Sequence, residues 1–380
     1  MPWNEVSTVS LRLEFVTLAI AEGANVRELC RRYDVSPQAA YKWIGRFRAG
    51  GAEALHDRSR RPLICPAQSP ATIEEAILRL RDQHPVWGGR KLRARLLAEG
   101  VRGVPAASTL TAILRRHGRL DPAAATAHRP VVRFEREAPN QLWQMDFKGH
   151  FAAGARRCHP LTVLDDHSRF NLGLFACADE RDATTRGHLA TLFRRYGLPE
   201  RILCDNGPPW GTAGSGQRYS GLGVWLLRLG VGVGHGRAYH PQTQGKDERF
   251  HRTLKAELLQ GQTFADLHEC QRRFDPWREV YNHQRPHEAL GLAVPASRYT
   301  PSNRLFPEVL IEWEYGPGDA VRKVSCDGRI SFRSRSIDLG KAFRGEHVAL
   351  RPTSEDGLFG VYFGVHRVAQ ADLRVQNQPN

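Results

Sequence analysis

The hydrophobic period of this chain changes near residue 140, and that change limits its folds more than any other feature. Before it, apolar residues recur at helical spacing; after it, they alternate as in strands. A helical region must therefore precede a region built on a sheet, and 380 residues allow two to four domains. The pattern divides the chain into a helix-turn-helix domain at 1–56, a basic linker at 57–70, a second helix-turn-helix domain at 71–120 and a linker at 121–138. An α/β core follows at 139–300, then a small β-barrel at 305–370 and a tail at 371–380.

Residues 8–48 read as three short helices. Asn25 with Glu28 resembles a capping box, and Asp34-Val35 makes a tight turn. Ser36-Pro37 supplies a cap followed by proline at the first helical position. The helix that follows puts Ala40, Trp43, Ile44 and Phe47 on one face and Gln38, Lys42 and Arg46 on the other. Two readings fit: an ordinary three-helix bundle with a solvated side, or a helix-turn-helix whose polar, basic helix reads DNA; the short turn and basic face favour the second. Arg58, Arg60 and Arg61 then form a short basic stretch stopped by Pro62, a linker that also contacts phosphates. In 71–117, Ile73, Ala76, Ile77 and Leu80 mark one apolar stripe and Leu92, Leu96 and Leu97 another. Ser108 is expected to cap the next helix, and Arg90, Lys91, Arg93, Arg95, Arg115 and Arg116 form a basic face.

From residue 140, Leu142–Lys148, Leu161–Asp165 and Phe170–Cys177 read as a three-strand meander. A helix follows near 183–196, and Arg201–Cys204 is a short strand ending at Asp205-Asn206-Gly207. Glycine-rich residues 207–235 read as a loop with a short helix around Val224–Leu227. Two long helices follow, near 244–259 and 264–283. Strands, helix, then strand implies an α/β core with a mixed sheet. Six β-type runs in the tail, beginning at Ile311–Tyr315, suggest the small barrel, and the residues from Ala371 onward are expected to fray.

Charge and cysteine usage restrict the function. A net charge of +15 fits a polyanion partner, or simply a basic, well-solvated surface. Seven cysteines without a C-x-x-C pair indicate neither a disulfide framework nor a zinc site and fit a reducing compartment. No signal peptide and no membrane-spanning run is visible.

Three acids then stand out. Asp146 lies on a strand whose other side, Trp143, Met145 and Phe147, is apolar, so Gln144, Asp146 and Lys148 define a polar side. Asp205 ends a strand at a turn signal, and Glu248 shares a helix face with Arg252 and Lys255. Each has an ordinary explanation alone; together they form a set of hard oxygen ligands suited to Mg2+ or Mn2+ acting on phosphates. Asp165, Asp166 and Asp247 are rival acids, read as structural or as supports of the metal ligands, with direct metal binding by Asp165 or Asp166 as the alternative.

The run Trp143–Phe147, the segment Asp165-Asp166-His167-Ser168-Arg169, Asp205-Asn206-Gly207 with Pro209-Trp210-Gly211, the stretch His240–Lys255 and Tyr281–His287 with Ala289-Leu290 resemble the integrase core of bacterial insertion-sequence transposases. The likeness is greatest to the insertion-sequence 481 family, a relative of the insertion-sequence 3 group and of retroviral integrases, and it covers nearly the whole chain. The resemblance implies an RNase H-like core and an Asp-Asp-Glu triad that maps onto Asp146, Asp205 and Glu248, with two Mg2+ or Mn2+ ions per site. The interval from Asp205 to Glu248 is long for that family, and residues 212–235 hold the excess. Further DNA contacts are expected from Lys246, Arg252 and Lys255 on terminal phosphates, Asn206 near the scissile phosphate, and Gln242 and Gln244 on bases. His240 and Tyr281–His287 are expected to be structural. The implied protein is a bacterial, cytoplasmic, nucleoid-associated transposase. It would bind terminal inverted repeats and target double-stranded DNA as a homodimer or larger assembly, with no membrane partner. A metal-dependent nuclease of the same fold and a non-catalytic DNA-binding regulator are the alternatives.

Overall fold

The computed structural model describes residues 7–58, 68–120, 135–211, 219–235, 245–310 and 312–374. The chain divides into two units, Met1–Gln68 and Ser69–Asn380. Arg60, Arg61, Gln242, Gln244 and His240 lie outside the described residues.

In the first unit, helices α1 (Thr8–Ala19), α2 (Val26–Arg32) and α3 (Pro37–Gly50) enclose Phe15, Val16, Cys30, Ala40, Ile44 and Leu55. The caps form as expected. Ser36 Oγ accepts from the Ala39 amide at 3.2 Å and Asn25 Oδ1 from the Glu28 amide at 3.2 Å. The capping box is half made, because Glu28 pairs with Arg31 at 2.6 Å. Asp34 makes the turn at φ 51°.

The second unit begins with α4 (Ala71–Gln83), α5 (Gly89–Ala98) and α6 (Ala107–Arg116), packed around Ile77, Trp87, Leu92, Leu96, Leu110 and Leu114. A Cβ at Gly89 would stand 2.6 Å from the Ala107 carbonyl oxygen, so only glycine permits this approach of α5 to α6. Three expectations change here. Ser108 lies inside the first turn of α6, which starts after Ala106 without a side-chain cap. Leu97 is 45% exposed, because α5 buries the line Leu92–Leu96 and the next residue turns about 100° away. The basic face is broken up by internal partners: Arg116 bonds Glu74, Arg95 bonds Glu99, Arg93 donates to the Pro105 carbonyl, and Arg90 pairs with Glu288. Lys91 is pulled down to about 8 by burial and then by Arg285.

The central sheet holds β1 (Trp143–Phe147), β2 (Phe151–Ala153), β3 (Arg156–Asp165), β4 (Asn171–Cys177), β5 (Arg201–Cys204) and β6 (Gly232–His235). β3 pairs antiparallel with β1, β2 and β4; β1 and β6 pair parallel with β5. The meander and the mixed sheet are as the sequence implies. β2 and β6 are additions, since β2 has three residues and β6 alternates glycine. Helices α7 (Asp182–Tyr196) and α8 (Gly221–Arg228) cover one face, burying Trp143, Met145, Leu161, Leu189, Phe193 and Leu226. Helix α9 (Gly245–Leu254), its continuation as a π turn at Lys255–Leu259, and α10 (Leu267–His283) cover the other, burying Leu164, Leu174, Phe250, Leu254, Phe274 and Trp277. The polar side of β1 is therefore not a solvent face: Gln144 is only 2% exposed.

Strands β7 (Ala320–Lys323), β10 (His347–Pro352), β11 (Leu358–Phe363) and β12 (His366–Asp372) form an antiparallel sheet in the order β12-β11-β10-β7. β8 (Arg329–Phe332) and β9 (Arg335–Asp338) form a separate hairpin. Among the described residues this sheet does not close into the expected barrel. The hairpin docks through Ile330 and Phe332 onto the core of the four-stranded sheet instead of pairing with its edges. Residues 312–315 are not a strand, and Ala371 and Asp372 belong to β12 rather than to a frayed end. Val224 and Leu227 of α8 join this C-terminal core. Among the described residues no helix is long and apolar enough to cross a membrane.

Candidate active site

The parallel pairing of β1 with β5 brings two of the three expected acids together. Trp143 pairs with Ile202 and Gln144 with Leu203, so continuing both strands by two residues sets Asp146 beside Asp205. Local structure holds each in place. The Thr162 hydroxyl donates to the Asp146 carbonyl at 3.0 Å across the β1–β3 ladder. Asp205 Oδ1 accepts from the Gly207 amide at 2.9 Å and from the Trp210 indole, and the buried Trp210 ring stacks on Phe147 with centroids 5.1 Å apart. The turn closes through Gly211, where a Cβ would lie 2.0 Å from the Asn206 carbonyl oxygen.

Electrostatics set Asp146 apart from an ordinary surface carboxylate. Asp146 is pushed up to about 7, first by burial and second by Asp205. His251 stands beside it, with Nδ1 3.9 Å from Asp146 Oδ2 and Nε2 2.9 Å from Thr162 Oγ1. Burial and then Lys148 lower His251 to about 4, so it is neutral and offers no charge to Asp146. Two carboxylates close together are the kind of oxygen donor that hard divalent ions take.

Glu248, the third expected acid, is exposed on α9. Its neighbour Asp247 faces inward, 1% exposed, with no hydrogen-bond partner for either carboxylate oxygen among the described residues. Burial first, then Asp146 and Asp166, hold Asp247 well above the ordinary carboxylate range. Among the described residues, no three His, Cys, Asp or Glu side chains stand close enough to hold a metal ion in this form. Asp247 and His251 were absent from the sequence-based ligand set, although their i, i+4 spacing on a helix beside an acid strand was visible.

Two of the rival acids, Asp165 and Asp166, have structural partners. Asp165 accepts from the Asn140 amide at 2.7 Å and from the Ser168 amide and hydroxyl at 2.8 and 2.6 Å. Asp166 accepts from Gln144 Nε2 at 2.6 Å, from the Arg136 amide at 2.8 Å and from Lys246. Lys246, expected on DNA phosphates, is thus directed inward. Arg252, Lys255 and Asn206 are exposed, and Lys255 lines an open concavity of about 520 Å³ with Lys148, His150, Phe151 and Phe264. In the first unit Gln38, Lys42 and Arg58 are exposed and Arg46 is half-buried. The Trp43 ring gathers three cations: Arg12 at 3.9 Å, Arg46 at 4.8 Å and Lys42 at 5.2 Å from its centroid.

Known proteins match the chain in segments. A helix-turn-helix domain matches residues 11–62 and a homeodomain-like domain residues 39–114. Integrase core domains match 136–241 and 229–295, and the C-terminal domain of IS481 family transposases matches 319–379. The 31.7 kDa protein of insertion element IS407 from Burkholderia multivorans is 28% identical over 174 residues, 44% of this chain and 60% of that protein. The 39.2 kDa protein of insertion element IS476 from Xanthomonas euvesicatoria is 29% identical over 160 residues, 42% of this chain and 44% of that one. The match thus spans less than two thirds of these relatives' own length. The Gag-Pro-Pol polyprotein of mouse mammary tumor virus is 33% identical over 122 residues, 32% of this chain and 6% of the polyprotein. Among solved structures, the HTLV-2 integrase catalytic core domain in complex with magnesium aligns at 15% identity and a TM-score of 0.32, over 43% of this chain and 97% of that one. The helix-turn-helix segments, the integrase core and the family-specific C-terminal domain, in this order, support a likeness to the insertion-sequence transposases of the IS481 type, related to the retroviral integrases.

Proposed function

We propose that this protein cuts and joins DNA as a transposase, with Asp146, Asp205 and Glu248 as its acids and two Mg2+ or Mn2+ ions as its cofactor. The observation that carries this reading is the placement of Asp146 beside Asp205 at the ends of paired parallel strands. The metal, when bound, lowers the pKa of an attacking hydroxyl and offsets charge on the leaving oxygen. Asp146 and Asp205 would hold it, and Glu248, exposed on α9, would complete the set of acids. The Asp205 turn, locked by Trp210 and Gly211, keeps one carboxylate oriented. Asn206, Arg252 and Lys255 line the approach of the phosphodiester backbone, and Lys246 acts indirectly by fixing Asp166. Water attack exposes a 3′-hydroxyl, and that hydroxyl attacks a second phosphodiester without a covalent protein–DNA intermediate. The first unit contributes Gln38, Lys42, Arg46 and Arg58 to recognition of terminal inverted repeats, with Arg60, Arg61, Gln242 and Gln244 as further contacts. Joining two ends in one event calls for at least a homodimer on DNA.

The test uses labelled DNA carrying the inverted repeats that flank the coding region, a target plasmid and Mg2+. Asp146→Asn, Asp205→Asn and Glu248→Gln are each expected to lower strand transfer by about 100-fold or more. Wild-type rates in any one variant remove that residue from the triad. Cleavage without joining by the wild-type protein makes it a nuclease, and binding alone makes it a regulator.

A further inference from the structure

Beyond Asp146 the polar side of β1 continues to Lys148, two residues on and therefore on the same side of the strand, about 7 Å along it. On α9, His251 Nδ1 stands 3.9 Å from Asp146 Oδ2, and Lys255 follows His251 by about one helical turn. Strand and helix thus bring two ammonium groups to one open concavity of about 520 Å³, where they repel each other. That volume lies in the range of ligand pockets, roughly 300–1,000 Å³. Among the described residues no acid lines it. It is also lined by the rings of His150, exposed, and Phe151, half-buried, and by the exposed side chains of Gln260 and Thr263. The β2 side of this concavity is fixed in place. Gly154, at φ 58°, donates its amide to the Phe264 carbonyl at 2.9 Å, and a Cβ there would lie 2.0 Å from the Ala265 carbonyl oxygen. The Phe151 and Phe264 ring centroids are 5.2 Å apart, so β2 is latched to the segment before α10.

An intact duplex offers its phosphates to the two lysines but keeps its bases stacked, so it leaves the rings unused. An unpaired nucleotide engages both. Its phosphate answers the lysine charge, its base lies on an aromatic face, and Gln260 and Thr263 supply donors and acceptors to the base edge. We propose that this concavity binds an unpaired nucleotide of the DNA strand bordering the reacting phosphodiester, with Lys148 and Lys255 on its phosphates and the base against Phe151 and His150. This rests on DNA being what the Asp146 site acts on. The substrate favoured is a frayed or branched end rather than an uninterrupted duplex, and holding one nucleotide out of the stack fixes which phosphodiester lies at Asp146.

The experiment measures binding of the full-length protein, without metal, to two fluorescein-labelled DNAs of one sequence: a blunt duplex, and the same duplex with a short single-stranded tail carrying 2-aminopurine. Wild type is expected to bind the tailed DNA about tenfold more tightly, and the 2-aminopurine emission to fall as its base stacks on a ring. Phe151→Leu, which keeps the apolar bulk, should bring the two affinities to within about twofold of each other and abolish the quenching. Lys148→Gln should reduce the salt slope for the tailed DNA by about 1. Melting curves report whether each variant folds, and His150→Ala, at an exposed position, tests the same ratio if Phe151→Leu does not fold. Equal affinity of wild type for the two DNAs, or an unchanged ratio and quenching in the ring variants, would overturn the proposal. Binding to neither DNA would instead refute the DNA-cutting reading itself, a failure separable from that of the concavity.

Discussion

At the scale of single residues, burial decides what each charged group does. Lys91 is ordinary in sequence, yet the fold draws it in beside Arg285 and lowers it to about 8 from 10.5. Between those values the unfolded chain holds more protons than the folded one, so folding stability contributed by this group rises with pH across that window. Lys91→Met is expected to stabilise the protein at pH 7 by on the order of 1 kcal/mol, allowing for solvent screening. The gain should shrink towards pH 10, as read from urea midpoints at the two pH values. Gly211 is the opposite case, a residue with no charge on which the Asp205 turn depends. Gly211→Ala brings a methyl into the Asn206 backbone and should cost about 1–3 kcal/mol while weakening Mn2+ affinity, measured together by melting and calorimetry.

At the scale of elements, α9 and α10 determine which side chains reach the sheet. The α9 helix loosens into a π turn at Lys255–Leu259, an arrangement often found beside functional sites. That turn is pinned to α10 and its C-terminal end by Glu257, which accepts from Arg285 Nε at 2.8 Å and from the Trp277 indole at 3.2 Å. Both Glu257 and Arg285 have side chains only 9% exposed. Glu257→Ala leaves a buried guanidinium without its acid and should destabilise the protein by about 3–5 kcal/mol. Chemical denaturation measures this, and Arg285→Leu combined with Glu257→Ala should recover part of the loss.

At the scale of the whole molecule, the net charge of +15 is the dominant fact. Much of the positive charge in α4–α6 is committed to internal acids and carbonyls, whereas α3 carries Lys42 and Arg46 around Trp43. DNA affinity is therefore expected to fall linearly on a log–log plot against salt. Lys42→Ala should reduce that slope by about 1, as measured by fluorescence anisotropy from low to physiological salt. An unchanged slope would remove Lys42 from the phosphate contacts.

Several features were legible because local physics sets them. Ser36 before Pro37, the stripe Ala40–Ile44, the alternation Trp143–Met145–Phe147 and the turn after Asp205 each depend on residues within one or two turns of chain. β6 was not legible, since Gly232 and Gly234 erase its pattern and only pairing with β5 makes it a strand. The closed barrel failed for a related reason: strand count can be read locally, but whether edges meet depends on where the β8–β9 hairpin docks. The sequence by itself determined the kinds of element, their order and the three acids as candidates, because spacing and side-chain chemistry are written along the chain. Only the tertiary structure decided that Asp146 stands beside Asp205, that Asp247 rather than Glu248 faces the sheet, and that Lys246 is occupied. The first depends on the register of β1 against β5, where Trp143 and Ile202 are buried in one core, and the others on the rotation of α9 about its axis, set by the burial of Phe250 and Leu254 with Leu164 and Leu174.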